Sequence, residues 1–402
     1  MTRLDLFVTT TSRYAERRRE IPRRSGGDVR PPAPLARNDR PWRVESKRSS
    51  ERYCLALLAL LILPALLAPA LLAQDKPIME IARDCQTFSV STNNKIVCAV
   101  PHVKRIKKVV IQRADVWTTS PNGRDKLIVD SEKFMPIPPP QSYIVDSLSW
   151  SPDGSRIAMN MTLEKPAGED EPASTTKAIA LLDDEGHELK VESSKTRFFE
   201  NAVRATFLAD NSTVAYLVGA GPYKIGRLST VTGQSSTLFG DRTFEAVVWD
   251  AAHNQAIVIS QNLNVQNRQA IFALDLLHEG IREISRVDAY VGGLTLSPSG
   301  NKVGYYSDGD TIEVRDLANR SKPTDVRAGM GVFGWSHDER RVLLKRGPPD
   351  KSGELIWVGL YDNTFVPALH GLEYHAFAIA PDGASIAVTE PGREVLRVFP
   401  LQ

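Results

Sequence analysis

A short phrase recurs along this chain and constrains its fold more than any other feature. At Leu148 it is LSWSPDGSRIAMN, in which an alternating apolar run, a Ser-Pro-Asp-Gly turn and a second alternating run are typical of a β-hairpin. The phrase returns at Leu294 as LTLSPSGNKVGYY and at Ala378 as AIAPDGASIAV. Fainter copies begin at Ser89, Thr206, Val247 and Phe333. A hairpin that recurs in this way predicts a repeat architecture.

The residue before each turn, here called the anchor, gives the period of the repeat. The anchors are Val90, Trp150, Phe207, Trp249, Leu296, Trp335 and Ile379, at intervals of 60, 57, 42, 47, 39 and 44 residues. Seven positions after each anchor stands an aliphatic residue, so we expect one register in every hairpin; these residues are Val97, Ile157, Val214, Ala256, Val303, Val342 and Ile386.

Two further β-like runs follow most of the hairpins. The clearest pairs are KAIALLD with ELKVES, QAIFALDLL with IREISRV, TIEVRDL with TDVRA, and ELIWVGLYD with TFVPAL. Four short strands per repeat predict an all-β fold, a seven-bladed β-propeller of four-stranded antiparallel blades, with six or eight blades as alternatives. Two stacked β-sandwich domains are a further alternative, but sandwiches show turn signals without a fixed internal period.

The turn residues and the chain ends refine this prediction. Gly154 and Gly383 tolerate a positive φ, whereas copies without glycine, such as HDER at 337–340, are expected to form longer or looser turns. The last repeat, which ends in EVLRVFPLQ, is one strand short, and a lone strand candidate precedes the first hairpin. We therefore expect residues near Pro77 to Ala82 to supply the outer strand of the seventh blade and to remove its open edge.

The N-terminal part has a different composition from the repeats. Residues 1–53 are rich in Arg, Pro and Ser, with 14 basic and 7 acidic residues, and are predicted to be disordered. Residues 54–73, CLALLALLILPALLAPALLA, are uncharged and follow a basic flank, as in a secretory signal. Cleavage after Ala73 and retention as a signal anchor in the inner membrane both place the propeller at 76–402 outside the cytoplasm, in the periplasm or an equivalent compartment.

Two stretches lengthen the first intervals of the repeat. Residues 163–176, LEKPAGEDEPASTT, are predicted to be a mobile loop within blade two. In HVKRIKKVVIQR, a small basic cluster of Lys104, Arg105, Lys107 and Lys108 is interpreted as a solvated strand face. Residues 74–402 hold 36 basic and 41 acidic residues, a balance that gives no support to nucleic-acid binding.

The two cysteines of the repeat region, Cys85 and Cys98, would lie in an oxidising compartment. If Trp150 faces Ile157, the same register in the first copy places Cys98 opposite Ser89, four residues from Cys85 along the strand. Four residues of strand span roughly 13 Å, more than the ~7 Å between Cα atoms that a disulfide allows. A disulfide therefore requires Cys85 to leave the strand, and the sequence leaves the pairing open.

Catalytic motifs are absent from the sequence, including the Gly-x-Ser-x-Gly elbow, a phosphate loop, Cys-x-x-Cys and His-Glu-x-x-His. One constellation stands out at the positions four residues before the anchors, where Asp146, Glu245 and His375 occur. Inner strands line the channel of a propeller, so these three side chains are candidates for binding a cation or a polar group at its mouth. Separately solvated charges are the alternative. We assign no catalytic residue and no set of metal ligands. No cofactor is predicted, and the alternative is a bound divalent cation.

The phrases SWSPDGSRIAM, LSPSGNKVGYY and IAPDGASIAV resemble the repeat of TolB-type propellers, periplasmic members of the WD-like class, and the resemblance covers residues 86–402. TolB itself carries an α/β domain before a six-bladed propeller, whereas seven anchors are present here. The resemblance therefore implies an exported propeller with WD40-like repeats that presents a rigid surface to a partner, and it carries over no TolB role.

Three functions are compatible with these features. The first is a non-enzymatic scaffold that binds a protein partner in the cell envelope. The second is a propeller enzyme, or a small-molecule or metal binder, that uses the central channel, for instance a metal-assisted lactonase. The third is an accessory or sensory subunit held by a retained anchor, which would be its sole contact with the membrane.

Overall fold

Every copy of the repeated hairpin forms the first two strands of a four-stranded antiparallel sheet. The computed structural model describes residues 76–401 except for 107–108, 135–140, 168–171, 190–197, 220, 262–268, 288–290, 308–310, 319–323, 328–331, 347–352, 370–373, 391 and 393. Within these ranges there are seven such sheets, which confirms the predicted seven-bladed β-propeller. Residues 1–53 and 54–73 lie outside the described residues, so disorder and export remain predictions.

The first three blades follow one another along the chain and contain strands β2 to β13. Their bounds are β2 Thr87–Val90, β3 Ile96–Ile106, β4 Val109–Thr119 and β5 Asp125–Val129 in blade 1, β6 Ser142–Trp150, β7 Arg156–Lys165, β8 Ser174–Asp183 and β9 Phe198–Glu200 in blade 2, and β10 Ala202–Phe207, β11 Thr213–Val218, β12 Lys224–Ser229 and β13 Ser235–Leu238 in blade 3.

The other four blades contain strands β14 to β28 together with β1, the first strand of the described chain. Their bounds are β14 Ala246–Asp250, β15 Gln255–Gln261, β16 Gln269–Asp275 and β17 Ile281–Val287 in blade 4, β18 Val291–Leu296, β19 Lys302–Ser307, β20 Thr311–Asp316 and β21 Thr324–Arg327 in blade 5, β22 Val332–Trp335, β23 Arg341–Arg346, β24 Glu354–Gly359 and β25 Phe365–Pro367 in blade 6, and β26 Ala376–Ile379, β27 Ser385–Thr389, β28 Leu396–Pro400 and β1 Met79–Ile81 in blade 7.

The buried apolar residues lie between neighbouring blades. Those that the structure describes form seven clusters, one at each blade interface. Strand β7 shows the cause, because Ile157, Met159 and Met161 face blade 1 while Ala158 faces blade 3. A strand covered on both faces has no polar side, and this explains the continuous apolar runs. First strands of neighbouring blades contact each other, for example β2 with β6 and β26 with β2, and this places them at the centre.

The register predicted from the anchors is confirmed in six of the seven hairpins. Trp150 pairs with Ile157 and Trp335 with Val342, each seven residues later. In the first copy Val90 pairs with Ile96 instead, because its turn is one residue shorter. Cys98 consequently lies opposite Phe88, and the prediction that it faces Ser89 is wrong.

One backbone conformation recurs in the seven turns between first and second strands. Each turn contains a residue with φ between +54° and +72°: Asn94, Gly154, Asn211, Asn254, Gly300, Glu339 and Gly383. The expectation of a looser turn at 337–340 is wrong, since Glu339 adopts φ +56° and Ser336 N–H still donates to the Arg341 carbonyl across the turn at 3.0 Å. Glycine adopts a positive φ at little steric cost. Glu339 adopts it while its side chain contacts the neighbouring blade.

The seventh blade is closed by the start of the propeller, as predicted. Strand β1 pairs antiparallel with β28, with Met79 opposite Val398 and Ile81 opposite Leu396. Arg397 of β28 forms an ion pair with Glu80 of β1 at 3.1 Å and a second with Glu390. Both main-chain pairing and charge therefore hold the closing strand.

A disulfide joins Cys85 to Cys98, with 5.5 Å between the Cα atoms. Cys85 lies in the connection between β1 and β2, outside either strand, as bridging requires. Nearby, Arg83 forms an ion pair with Asp125 at 2.7 Å and lies 3.9 Å above the Trp117 ring. The segment that follows the closing strand is thus fixed to the second, third and fourth strands of blade 1.

Blade 2 differs from its prediction in two places. Its fourth strand is β9, whereas the sequence predicted that ELKVES, 188–193, would form this strand. Glu188 makes one isolated bridge to Leu182, and residues 190–193 lie outside the described ones. Both ends of the predicted loop 163–176 are strand, because β7 and β8 stay paired as far as Lys165 and Ser174; residues 168–171 lie outside the described ones. Backbone pairing has extended into a mainly polar stretch that shows no apolar alternation, and it stops before Pro166 on one strand and after Pro172 on the other.

Candidate functional site

The propeller has two different ends. The turns that join first and second strands lie at one end, here called the turn end, and the first strands begin at the opposite end, the entry end. Asp146, Glu245 and His375 belong to the entry end of blades 2, 4 and 7, in or directly before β6, β14 and β26. Since these blades are not neighbours, the three residues can meet only if their side chains extend across the channel.

Asp146 interacts within its own blade. It lies at a β-bulge, because Val145 pairs with Met161 and Ser147 pairs with Asn160, which leaves Asp146 unpaired between them. Its carboxylate accepts hydrogen bonds from Thr162 Oγ1 at 2.8 and 2.9 Å and forms an ion pair with Lys177 at 3.1 Å. These partners lie on the second and third strands, so the side chain is directed along the sheet.

Glu245 likewise contacts the third strand of its own blade. Its Oε2 accepts a hydrogen bond from Gln269 Nε2 at 2.5 Å. Gln269 is buried, and its Oε1 accepts a hydrogen bond from the Val291 N–H of blade 5 at 2.6 Å. The pair therefore links blade 4 to blade 5 at the entry end.

His375 has an exposed side chain, and its N–H donates to the Thr389 carbonyl at 2.8 Å. His370, its neighbour in sequence, lies outside the described residues. Over the part of the chain that the structure describes, no three His, Cys, Asp or Glu residues form a group that could hold a metal ion. The structure does not bring Asp146, Glu245 and His375 together in such a group, and their role in ligand binding stays a prediction.

At the turn end, adjacent turns contact each other around the ring, a feature that sequence reasoning missed. The contacts at six of the seven interfaces are hydrogen bonds, namely Asn93 Nδ2 to the Asp153 carbonyl (3.4 Å), Asp153 N–H to Asn211 Oδ1 (3.3 Å), Ala209 N–H to Asn254 Oδ1 (2.9 Å), Ser299 N–H to Glu339 Oε1 (2.6 Å), His337 Nδ1 to the Asp382 carbonyl (2.7 Å) and Ser385 Oγ to Asn94 Oδ1 (2.6 Å). At the remaining interface a Cβ on Gly300 would lie 2.7 Å from Asp250 Oδ2.

Carboxylates cap these turns, and their environment lowers their pKa values. The Ser336 hydroxyl is the main cause for Asp338, whose pKa is held below its usual value. Burial raises the pKa of Asp153, but hydrogen bonds from Ser151 and Ser155 outweigh it and the net direction is down. At Glu339 burial is likewise outweighed by hydrogen bonds from Ser299 and by the nearby Lys302 ammonium. The turn end is therefore stabilised by ionised carboxylates.

The β3–β4 hairpin projects from the entry end of blade 1. Its strands, each 11 residues long, exceed the other strands that the structure describes. Pairing of β3 with β2 ends at Ala99, and β3 continues with β4 alone to Ile106. Val103 and Val110 on this extension keep 64% and 58% of their surface exposed. The predicted strand at this basic cluster is confirmed, although Lys107 and Lys108 lie outside the described residues.

A shallow cleft lies where the β3–β4 hairpin meets blade 2. Its lining residues come from the first strands of blades 1 and 2 and from the base of the hairpin: Gln86, Thr87, Ala99, Pro101, Gln112, Arg113, Ala114, Tyr143, Ile144 and Val145. The buried Arg113 guanidinium donates to the carbonyls of Ser131 and Gln141 and so fixes the ends of the connection between the blades.

The fold defines a class of protein, the seven-bladed β-propeller. Comparison with solved structures agrees, and 1124 chains match this fold. One is a chain in the crystal structure of the mitotic checkpoint complex, with a TM-score of 0.52 and 15% identity, covering 82% of this chain and 95% of that one. Another is the β-propeller domain of Cps50 (Swd1) from Myceliophteria thermophila, with a TM-score of 0.50 and 12% identity, covering 82% and 100%.

At these identities the structural likeness establishes the fold and nothing further. No protein-family model matches the chain, and no curated protein matches it. The more specific resemblance to the TolB-type repeat is not confirmed by these comparisons. None of the helices described here is long and apolar enough to cross a membrane.

Proposed function

We propose that this chain is an exported, TolB-like β-propeller that acts as a protein-interaction scaffold in the cell envelope. A ring of seven blades, closed by β1 and linked by contacts between its turns, supplies a rigid support. The observation that carries the proposal is the β3–β4 hairpin, which extends from this support with three exposed valines, Val103, Val109 and Val110. Apolar side chains on a rigid projection are suited to contact with another protein.

Export is supported by two independent features. The uncharged segment 54–73 follows a basic flank, which is the pattern of a secretory signal. The Cys85–Cys98 disulfide is of a kind that forms and persists in oxidising compartments such as the periplasm. Because this cross-link lies next to the closing strand, oxidation stabilises the propeller where its ends meet.

A reporter fusion tests export directly. Alkaline phosphatase, which is active only outside the cytoplasm, is joined to the C-terminus of the full chain. We expect phosphatase activity from this fusion and its loss when Leu60→Arg and Leu61→Arg place two charges in the apolar segment. Equal activity in both fusions, or inactivity of the unaltered fusion at normal protein levels, would show that residues 54–73 do not direct export.

Cross-linking in intact cells tests the scaffold function. The full chain carrying a C-terminal affinity tag is cross-linked, purified and analysed by mass spectrometry, beside an unrelated exported protein with the same tag. We expect one envelope protein to be enriched reproducibly with this chain alone. Metal content is measured on the same preparation, and a stoichiometric divalent ion with no enriched protein would replace the scaffold proposal by a channel-based binding function.

A further inference from the structure

We propose that the edge of β3 from Val100 to Ile106, with the side chains of Val103, Arg105 and Val110 beside it, is the docking site for an extended segment of a partner protein that is both acidic and apolar. This inference rests on the proposed scaffold function and names the surface and the kind of partner.

The main chain of β3 provides the first part of the argument. Its pairing with β2 ends where Thr87 faces Ala99, and the Gln86 N–H donates to the Ala99 carbonyl at 3.1 Å. Beyond that point, the part of the chain that the structure describes supplies no further strand to this edge of β3. Pro101 has no N–H to donate, so the main-chain hydrogen bonds of an added strand would form chiefly along 102–106, where the edge is a template for strand addition.

The opposite edge of the hairpin is occupied, and this singles out the β3 edge. On β4, the Gln112 N–H donates to Ser142 Oγ at 3.0 Å and the Ala114 carbonyl accepts from Tyr143 Oη at 2.7 Å. Both partners belong to blade 2. A strand added to β4 would have to displace these contacts, whereas one added to β3 would not.

The side chains on one face of the hairpin specify the apolar part of the partner. Arg105 pairs with Val110 and Val103 with Gln112, so these four residues share a face. The same face continues towards the blade through Pro101, which lines the cleft. An added strand would therefore place alternate apolar side chains against the exposed valines and over the cleft.

Charge specifies the acidic part. Arg105 is exposed, and its neighbours on the same face of the hairpin, Val103, Val110 and Gln112, are uncharged. Lys104 belongs to the other face and pairs with Glu132 at 2.8 Å. A second copy of this edge would bring like charges opposite each other, which is destabilising, whereas a partner carboxylate would be attracted. The edge therefore favours an acidic segment over self-pairing.

The test begins with peptides selected for binding. A phage-displayed library of random 12-residue peptides is selected on the purified full chain, and the dissociation constants of the selected peptides are measured by fluorescence anisotropy. We expect acidic peptides with alternating apolar residues. Arg105→Glu and Val103→Asp should each weaken binding by about tenfold or more, equivalent to roughly 1.4 kcal/mol.

Matched controls lie on the other face of the same hairpin. Lys104→Glu repeats the charge reversal and Val109→Asp, at a side chain 36% exposed, repeats the loss of an apolar group. Both should leave binding within about twofold, and circular dichroism should show all four variants folded. The proposal would be overturned by the selection of basic peptides, by a library that yields no binding peptide, or by equal binding of the peptides to all variants. Self-association or binding to anionic vesicles through this edge would also overturn it.

The cross-linking experiment separates this inference from the function beneath it. If the Arg105→Glu chain captures the same envelope protein as the unaltered chain, the docking site is elsewhere and the scaffold function stands. If neither chain captures a specific protein, the scaffold function fails.

Discussion

At the scale of single residues, the turns show how one backbone requirement is met by different side chains. The left-handed position is glycine at Gly154, Gly300 and Gly383, asparagine in three copies and Glu339 in one. A side chain in this conformation costs about 1–2 kcal/mol relative to a right-handed one. Asn94, Asn211 and Asn254 offset part of that cost by accepting hydrogen bonds from the neighbouring blade, and Glu339 does so by accepting from the Ser299 N–H.

Substitution of these glycines should therefore destabilise the fold. We expect Gly154→Ala to lower the free energy of unfolding by about 1 kcal/mol, because its φ is +68° and the nearest atom to a Cβ would be Asn93 Nδ2 at 3.4 Å, without a clash. Gly300→Ala should cost more, because its Cβ would also clash with Asp250 and His253. Urea unfolding checks both values. Gly280→Ala is the control, since Gly280 lacks a positive φ and its Cβ would make ordinary contact with Asp275; an equal loss there would contradict the explanation.

Arg397 is the residue whose charge holds the closing strand. Its guanidinium pairs with Glu80 and Glu390, and burial, which lowers its pKa, is outweighed by these two carboxylates, so the net direction is up. We expect Arg397→Met to accelerate amide hydrogen exchange in β1 selectively. Arg286→Met is the matched control, because the Arg286–Glu283 pair is exposed on the outer strand of blade 4. Unchanged exchange in β1 would show that main-chain pairing alone retains the strand.

At the scale of elements, the closing strand and the disulfide act together. Strand β1 has three residues, too few to be stable by themselves, and pairs with a single neighbour. The cross-link follows it by four residues and joins the chain to β3, so the strand is held from blade 7 by pairing and from blade 1 by a covalent bond.

Removal of the disulfide should weaken this closure. We expect Cys85→Ala with Cys98→Ala to lower the free energy of unfolding by roughly 3 kcal/mol, since a loop of 13 residues is released in the unfolded chain. Guanidinium unfolding measures the effect. Unaltered protein with dithiothreitol in the buffer should approach the stability of the double variant, and equal stability of all three samples would mean that the cross-link contributes little.

The elements also show what the sequence could predict. Hairpin registers followed from apolar alternation, because Trp150 and Ile157 must both face the interface with blade 1. The direction of Asp146 did not follow, because the bulge that turns it towards Thr162 changes main-chain pairing without an apolar signature. Strand pairing from Leu163 to Lys165 was missed for the same reason, since main-chain hydrogen bonds there carry no side-chain pattern.

At the scale of the whole molecule, most contacts between turns join residues of consecutive repeats about 40 to 60 positions apart in sequence, and the contact between blades 7 and 1, Ser385 with Asn94, joins residues 291 positions apart. Asn93 and Asp153 are ordinary turn residues, and nothing in either copy indicates that they touch. Such contacts depend on the closed ring itself, which brings each turn beside the next, and could not be predicted from one repeat.

The same ring should make the protein sensitive to acid. Hydrogen bonds and nearby charges hold the pKa values of Asp153, Asp210, Asp338 and Glu339 below the usual 3.8 for Asp and 4.5 for Glu. A carboxyl whose pKa is lower in the folded state contributes stability above its unfolded pKa and loses it as the pH falls through the folded value. We expect the urea midpoint to drop steeply between pH 5 and pH 3.

Two asparagine variants make this pH prediction specific. Asp338→Asn removes a turn carboxylate and should reduce the loss of stability between pH 5 and pH 3. Asp241→Asn alters a fully exposed carboxylate that lies outside these turns and should leave the loss unchanged. An identical pH dependence in both variants would place the acid-sensitive groups elsewhere.

Closure of blade 7 by β1 brings the first and last strands of the propeller together in one sheet. Glu80 and Arg397 are in contact although 317 positions separate them, so the last blade cannot assemble until nearly the whole propeller has emerged from synthesis. A chain that lacked blade 7 would leave the apolar faces of blades 6 and 1 without their partner and would leave β1 unpaired. The turn at 121–124 between β4 and β5 is exposed, so a circular permutant whose new ends open there, with the old ends linked, should fold to the same seven blades.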